Sequence, residues 1–257
     1  TFLTSVSSYE GGCGFEDYVL SKFDPTTPIY RYLDFDFLLS FLSKERLDVP
    51  MKYTFSDSHE STLPVSHFFG IRAVGNGAIE TTSAKNDILR QKWNEYKEES
   101  GILTSCWTLR QDENYLMWKA YSSKMGVRIK TTINDFVSSI KTDDYDILCS
   151  EIAYSGHKYG ADLEEQIFSK DSFYSNEEEI RFYFYPTNKD KSKGNSTISR
   201  INIPFCPKDL IQEIILSPFI DCNATDAIKE LLEEKYTYLQ GKIKKSKIKI
   251  KGNWSIK

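Results

Sequence analysis

Aromatic and β-branched residues fill IYRYL, residues 29–33, and predict a strand. Directly behind it Phe37, Leu38, Phe41 and Leu42 recur at helical spacing in DFDFLLSFLSKERL, with Asp34 placed as a cap and Lys44 and Arg46 toward the far end. A short strand is expected in LDVPMKYTF, stopped by the polar cluster SDSHEST. Residues 75–100 read as a Gly-rich turn and then the helix DILRQKWNEYKEESG, with Gly101 available as its left-handed cap. ILTSCWTL, VRIKTT, EIAYS and IRFYFYP read as strands, and DENYLMWKAYSSKMG and ADLEEQIFSKDSFY as helices. TNKDKSKGNST, residues 187–197, predicts an exposed hairpin loop with ISRINIPF as its returning strand. LIQEIILSP adds a strand and ATDAIKELLEEKY an amphipathic helix, with Thr225 or Asp226 near its start.

Helices early and strands clustered late predict an α+β fold: a single domain with a mainly antiparallel sheet, continuous or split, flanked by helices. Residues 1–28, with the turn signals GGCG and DPTTP, read as a loosely ordered lead-in to a domain over 29–257. At the far end GKIKKSKIKIKG sets isoleucines among lysines, which predicts a Lys-rich edge strand over 242–251. A nucleic acid patch is the alternative there.

Composition narrows the classes. A chain of 257 residues with 40% hydrophobic residues can bury a full core. Its net charge of −4 gives no global reason to bind nucleic acid. Five cysteines stand singly without a C-x-x-C pair, which points to a reducing cytosol, and the three histidines lack the spacing of a structural zinc site. No signal peptide and no bilayer-length apolar run is present, so the expectation is a soluble, cytoplasmic chain without a membrane partner.

The candidate chemistry centres on FYSNEEEIRFYFYP, where three glutamates stand directly before a strand. If strand pairing begins by Glu177, then Glu177, Glu179 and Arg181 share one face, with carboxylates about 7 Å apart, while Glu178 points away. The plain alternative is a solvated corner with Arg181 paired to one acid. In SCWTLRQDENYLMWKAY, Ser105, Trp107, Trp118 and Tyr121 combine flat rings with polar handles, suited either to a core or to stacking on a base or nicotinamide. Leu116, Met117 and Ala120 are expected to complete an apolar face with Trp118 and Tyr121. Arg31 inside an apolar strand needs a carboxylate or an anionic ligand. Asp57 and Glu60 in FSDSHE are candidates for a metal or for a self-bonded turn.

Taken in order, Tyr30, Arg31 and Tyr32; Phe55, Asp57 and Glu60; Cys106 and Trp107; Met117, Trp118, Tyr121, Gly126, Val127 and Ile129; and Lys170, Tyr174, Glu177, Glu179 and Arg181 resemble the motifs of the bacterial family called domain of unknown function 2971. Ser56, Ser58, Trp107 and Tyr174 depart from that pattern. More loosely, the order of an Arg on a first strand, a Ser or Tyr in the middle and E-x-E before a late strand resembles ADP-ribosyltransferases.

That resemblance implies an enzyme consuming NAD as substrate, with a toxin or anti-phage role as its setting. Glu179 and Glu177 would be its catalytic carboxylates, Glu179 the more essential. Arg31, Tyr32, Ser105, Trp107, Trp118 and Tyr121 would bind the small-molecule nucleotide, the acceptor being an unidentified protein or nucleic acid. A metal-dependent nuclease or hydrolase using Asp57, Glu60, Glu177 and Glu179 is one alternative. A non-catalytic ligand-binding or regulatory module is the other.

Overall fold

A computed structural model describes residues 24–50, 73–74, 78–79, 103–122, 124–141, 144–154, 170–186 and 200–250. The FSDSHE turn, the DILRQKWNEYKEESG helix, the 187–197 loop, most of ADLEEQIFSKDSFY and nearly all of the lead-in lie outside them. The fold is α+β: a mainly antiparallel seven-stranded sheet and two two-stranded sheets, with helices between the strands.

The strands are β1 (Pro28–Asp34), β2 (Arg46–Pro50), β3 (Ala73–Val74), β4 (Ala78–Ile79), β5 (Leu103–Thr108), β6 (Gly126–Thr132), β7 (Tyr145–Glu151), β8 (Glu179–Pro186), β9 (Arg200–Pro204), β10 (Glu213–Leu216) and β11 (Ile243–Lys245). The helices are α1 (Phe35–Lys44), α2 (Tyr115–Tyr121), α3 (Ile133–Ser139), α4 (Pro207–Leu210) and α5 (Cys222–Lys235). The large sheet runs β11-β10-β6-β1-β5-β8-β7, and β2-β9 and β3-β4 form the small ones. No helix among the described residues is long and apolar enough to cross a membrane.

The chain divides into two compact units. One contains β1, β6, β10, β11 and the five helices of the described residues. Here β1 pairs antiparallel with β6 along its whole length, Tyr32 opposite Arg128, and β10 adds antiparallel to the other side of β6. β11 joins β10 in parallel after the crossover through α5, whose start is capped by Asp221 rather than by Thr225 or Asp226. The apolar stripes of the helices explain their seating. Leu38 and Leu42 of α1, Ile133 and Phe136 of α3, and Ile228 and Leu232 of α5 are buried. Helix α3 begins at Thr132, whose hydroxyl accepts the Asp135 N–H at 3.1 Å. Its seven residues are too few to show the apolar period that would have announced it.

The other unit contains β7 and β8, paired antiparallel from Tyr145 opposite Pro186 to Glu151 opposite Ile180. Ile180 through Phe184 are buried without interruption, as a strand covered on both faces requires.

Several expectations shift. The strand expected at EIAYS lies upstream, since β7 ends at Glu151 and Ile152 instead donates its N–H to the Glu179 carbonyl at 2.9 Å. The end of the helix expected through Tyr174 is a 3-10 turn, Ser172–Glu177. ISRINIPF does not return against β8; its strand β9 pairs with β2. Nothing local pins a hairpin there, because the connecting loop lacks the two-residue turn that sets register. The Lys-rich segment supplies β11 at one edge of the large sheet, and the strand stops at Lys245. Lys244 pairs with Glu213, and Lys245 with Asp226 at 2.8 Å.

Arg128 is the most demanding group of the first unit. It is buried on β6, its Nη2 donating to the carbonyls of Arg110 at 2.8 Å and Gln111 at 2.6 Å, its plane 3.8 Å from the Tyr30 ring centre. Arg128→Leu should therefore cost about 2–4 kcal/mol, because two carbonyls lose a charged donor. Urea denaturation with an unchanged slope and a lowered midpoint is the expected readout.

Candidate active site

The acids before β8 do not form a solvated run. Arg181 is 0% exposed, and a guanidinium so placed must be neutralised at close range. Glu179, two residues earlier on the same face of the strand, supplies the charge: Arg181 Nε donates to Oε1 at 2.5 Å and Nη2 to Oε2 at 3.0 Å, a two-pronged pairing. Lys170 Nζ reaches the same Oε2 at 3.3 Å and Glu177 Oε2 at 2.7 Å, and it lies 4.6 Å from the Tyr174 ring centre. Two carboxylates and two cations thus alternate in one clasp. Backbone bonds fix its members: the Lys170 N–H donates to the Ala153 carbonyl at 3.1 Å, and the Glu179 N–H donates to the Tyr154 hydroxyl at 2.7 Å.

The face shared by Glu177 and Glu179 arises differently from the strand alternation expected of it. Pairing starts at Glu179, and Glu177 ends the 3-10 turn, which opens with the Asp171 carboxylate accepting the Phe173 N–H at 3.0 Å. Between them Glu178 takes a left-handed conformation, φ 45° and ψ 51°, and its side chain is exposed. The left-handed step, not the pleat, turns Glu178 outward and lets its neighbours meet one lysine. The exposures of the two inner acids differ, with side chains 13% accessible for Glu177 and 6% for Glu179.

The remaining candidates belong to the other unit, apart from Ser105, which is buried on β5. Arg31 is half-buried, 5.9 Å from the Trp107 ring centre. Burial pushes its guanidinium below the usual arginine range, opposed by Cys106 and Asp48. Trp107 is itself buried, edge-on to Phe136 at 5.2 Å. Tyr32 and Trp118 meet edge to face at 4.8 Å, and both are buried. Tyr121 does not share that face: α2 buries Trp118 while Tyr115, Leu116 and Tyr121 are exposed. Of the expected apolar face only Trp118 is fully buried, with Met117 packed partly buried beside it, while Leu116 and Ala120 are exposed.

Three participants carry weight that the reading of the residues did not assign them, although Lys170 stands in the motif behind the resemblance to domain of unknown function 2971. Lys170 lies seven residues from Glu177 across a turn, so no period links them. Tyr154 enters from the segment after β7. Arg128 had a legible signal, a cation between Val127 and Ile129 in a strand, the same argument that singled out Arg31.

No protein-family model matches the chain, and no curated protein matches it. Among the described residues no group of three or more His, Cys, Asp or Glu gathers to hold a metal ion. Asp57 and Glu60 lie outside those residues.

The clasp makes two expectations. Glu179→Ala leaves a buried guanidinium unneutralised and should cost about 3–5 kcal/mol, whereas Glu178→Gln should change stability by less than about 0.5 kcal/mol. Replacing Glu179 by Leu and Arg181 by Met together should recover most of the loss, which chemical denaturation of the single and double variants measures.

The second expectation concerns alkaline pH. Burial, then the Glu179 and Glu177 charges, push the Tyr154 hydroxyl above its ordinary value. A raised pKa keeps its full contribution below the unfolded value of about 10, and that contribution is lost as pH rises beyond it. Stability should fall above about pH 10, and Tyr154→Phe should flatten that fall by up to about 1.4 kcal/mol per pH unit. Thermal melts from pH 8 to 12 test this.

Proposed function

We propose that this chain is an ADP-ribosyltransferase-like enzyme that cleaves the N-glycosidic bond of NAD, with the clasp before β8 as its reactive centre. The observation that carries the reading is the pair of carboxylates held at the start of a rigid strand by Lys170 and Arg181. As nicotinamide departs with the bonding electron pair, C1′ of the ribose becomes oxocarbenium-like. A fixed carboxylate bonded to the ribose 2′-hydroxyl lowers the energy of that charge. Attack on C1′ by water or an acceptor side chain, with loss of its proton, completes the transfer.

The geometry favours a division of labour between the acids. Both oxygens of Glu179 are engaged by Arg181 and Lys170, which makes Glu179 a positioning residue. Glu177, the more accessible, is the better contact for the ribose. The same cations disfavour a metal-dependent hydrolase, because they occupy carboxylate oxygens that Mg²⁺ would need. The resemblance to domain of unknown function 2971 names no reaction.

Purified protein incubated with NAD, alone and with protein or nucleic acid acceptors, should release nicotinamide. Glu177→Gln should lower the rate roughly 10²- to 10⁴-fold in a chain that still folds, with an unchanged circular dichroism spectrum and a melting temperature lowered by the lost Lys170 pair. Glu178→Gln should retain the rate. No nicotinamide from the wild-type chain under any of these conditions would remove the reading.

A further inference from the structure

The polypeptide continues beyond β11 as residues 246–250, outside any sheet ladder, and crosses the aromatic group of its own unit. Tyr32, Trp118 and Ile215 form a buried cluster, and Ile248 packs against it together with Met117 and Phe219. One carboxylate fastens the crossing. Glu113 accepts from Ser246 Oγ at 2.5 Å, from the Lys247 N–H at 2.7 Å and from the Trp118 indole N–H at 3.2 Å. Ser246 adds an internal turn, its Oγ accepting the Ile248 N–H at 3.1 Å, and its own N–H donates to the Leu216 carbonyl at 3.2 Å. Lys247 and Lys249 point to solvent, and Ile248 is only half-buried.

We propose that residues 246–250 are a strap that opens and closes over the Tyr32–Trp118 rings, with Glu113 as its latch. The balance of contacts supports an opening separate from global unfolding. Past Ser246, whose N–H still bonds to β10, a segment without ladder bonds, fastened at a partly solvated carboxylate and by one half-buried side chain, belongs to the low-stability end of a structure. The rings beneath belong to β1 and α2, whose backbone bonds do not depend on the strap. Strand β1 is zipped to β6 over its length, and α2 is capped by Asn114, which accepts the Leu116 N–H at 2.8 Å. Opening exchanges the Ser246 and Lys247 bonds to Glu113 for water and uncovers the side of the Tyr32–Trp118–Ile215 cluster against which Ile248 packs. The strap is thus a local cover of this cluster, separate from the chemistry proposed at Glu177.

Hydrogen exchange on the full chain tests it, following the amides of Lys247 and Ile248, the Trp118 indole N–H and, as reference, the β6 amides of Val127 and Ile129. In the wild type the first three should exchange together and faster than the β6 pair. Ser246→Ala keeps the Trp118–Glu113 bond and should speed all three roughly tenfold. The β6 amides and the melting temperature should not move. Glu113→Gln should act in the same direction. If the strap amides and the indole exchange only at the β6 rate in every variant, the segment is part of the core and the proposal fails. It also fails if Ser246→Ala speeds the amides while the indole rate stays fixed, because the segment would then cover nothing.

Discussion

A guanidinium with no access to water sets the terms for everything around β8. Arg181 sits in a strand buried on both faces, and removal of an ion from water costs several kcal/mol unless opposite charge and hydrogen bonds replace the solvent. Glu179 meets that demand with both oxygens. In doing so it becomes a buried carboxylate with needs of its own, which Lys170 helps to satisfy, while the Tyr154 hydroxyl accepts the Glu179 backbone N–H and holds the residue in place. Each charge brought inside obliges the next, and the series ends at Glu177, where solvent begins.

The series also explains the local backbone. For one lysine to meet both Glu177 and Glu179, the chain must turn between them, and the left-handed Glu178 makes that turn. A non-glycine residue in that region costs about 1–2 kcal/mol. The clasp and the cap bonds of the 3-10 turn offset it. Rigidity of this kind serves a structural ion cluster and a preorganised reactive carboxylate equally well, and the difference in exposure between Glu177 and Glu179 is what separates the two acids chemically.

In the other unit a second buried cation plays a comparable part with different partners. Arg128 has neutral carbonyls and two tyrosine rings around it instead of carboxylates, 3.8 Å from Tyr30 and 5.5 Å from Tyr32. It anchors residues 110 and 111, and therefore the approach to α2, while Glu113 two residues beyond them gathers the indole of Trp118 and the strap. Charged side chains near the core thus organise both units, and apolar periodicity accounts for the strands and helices that carry them.

How much was legible follows from the range of each interaction. β1, α1, β5, β6, β8, β10 and α5 were readable because period and cap residues are written within a dozen positions. The mainly antiparallel α+β class followed from their order. The acids at 177 and 179 were identifiable as a feature, since three charges before RFYFY conflict with burial. Strand β7 was misplaced because YDILCSE lacks a clean alternation, and β9 was mispaired because a long polar loop encodes no register. That Glu177, Glu179 and Arg181 share a face was expected, but the contacts of Lys170 and Tyr154 that complete the clasp were not. Lys170 and Tyr154 reach Glu177 and Glu179 through a 3-10 turn and a strand end, and Ser246 reaches Glu113 across more than a hundred residues. Sequence by itself determined which segments would be buried and which charges would be costly there. Only tertiary structure decided how those charges are neutralised, because a buried ion is satisfied by whatever lies within about 3 Å, a distance that chain separation does not encode.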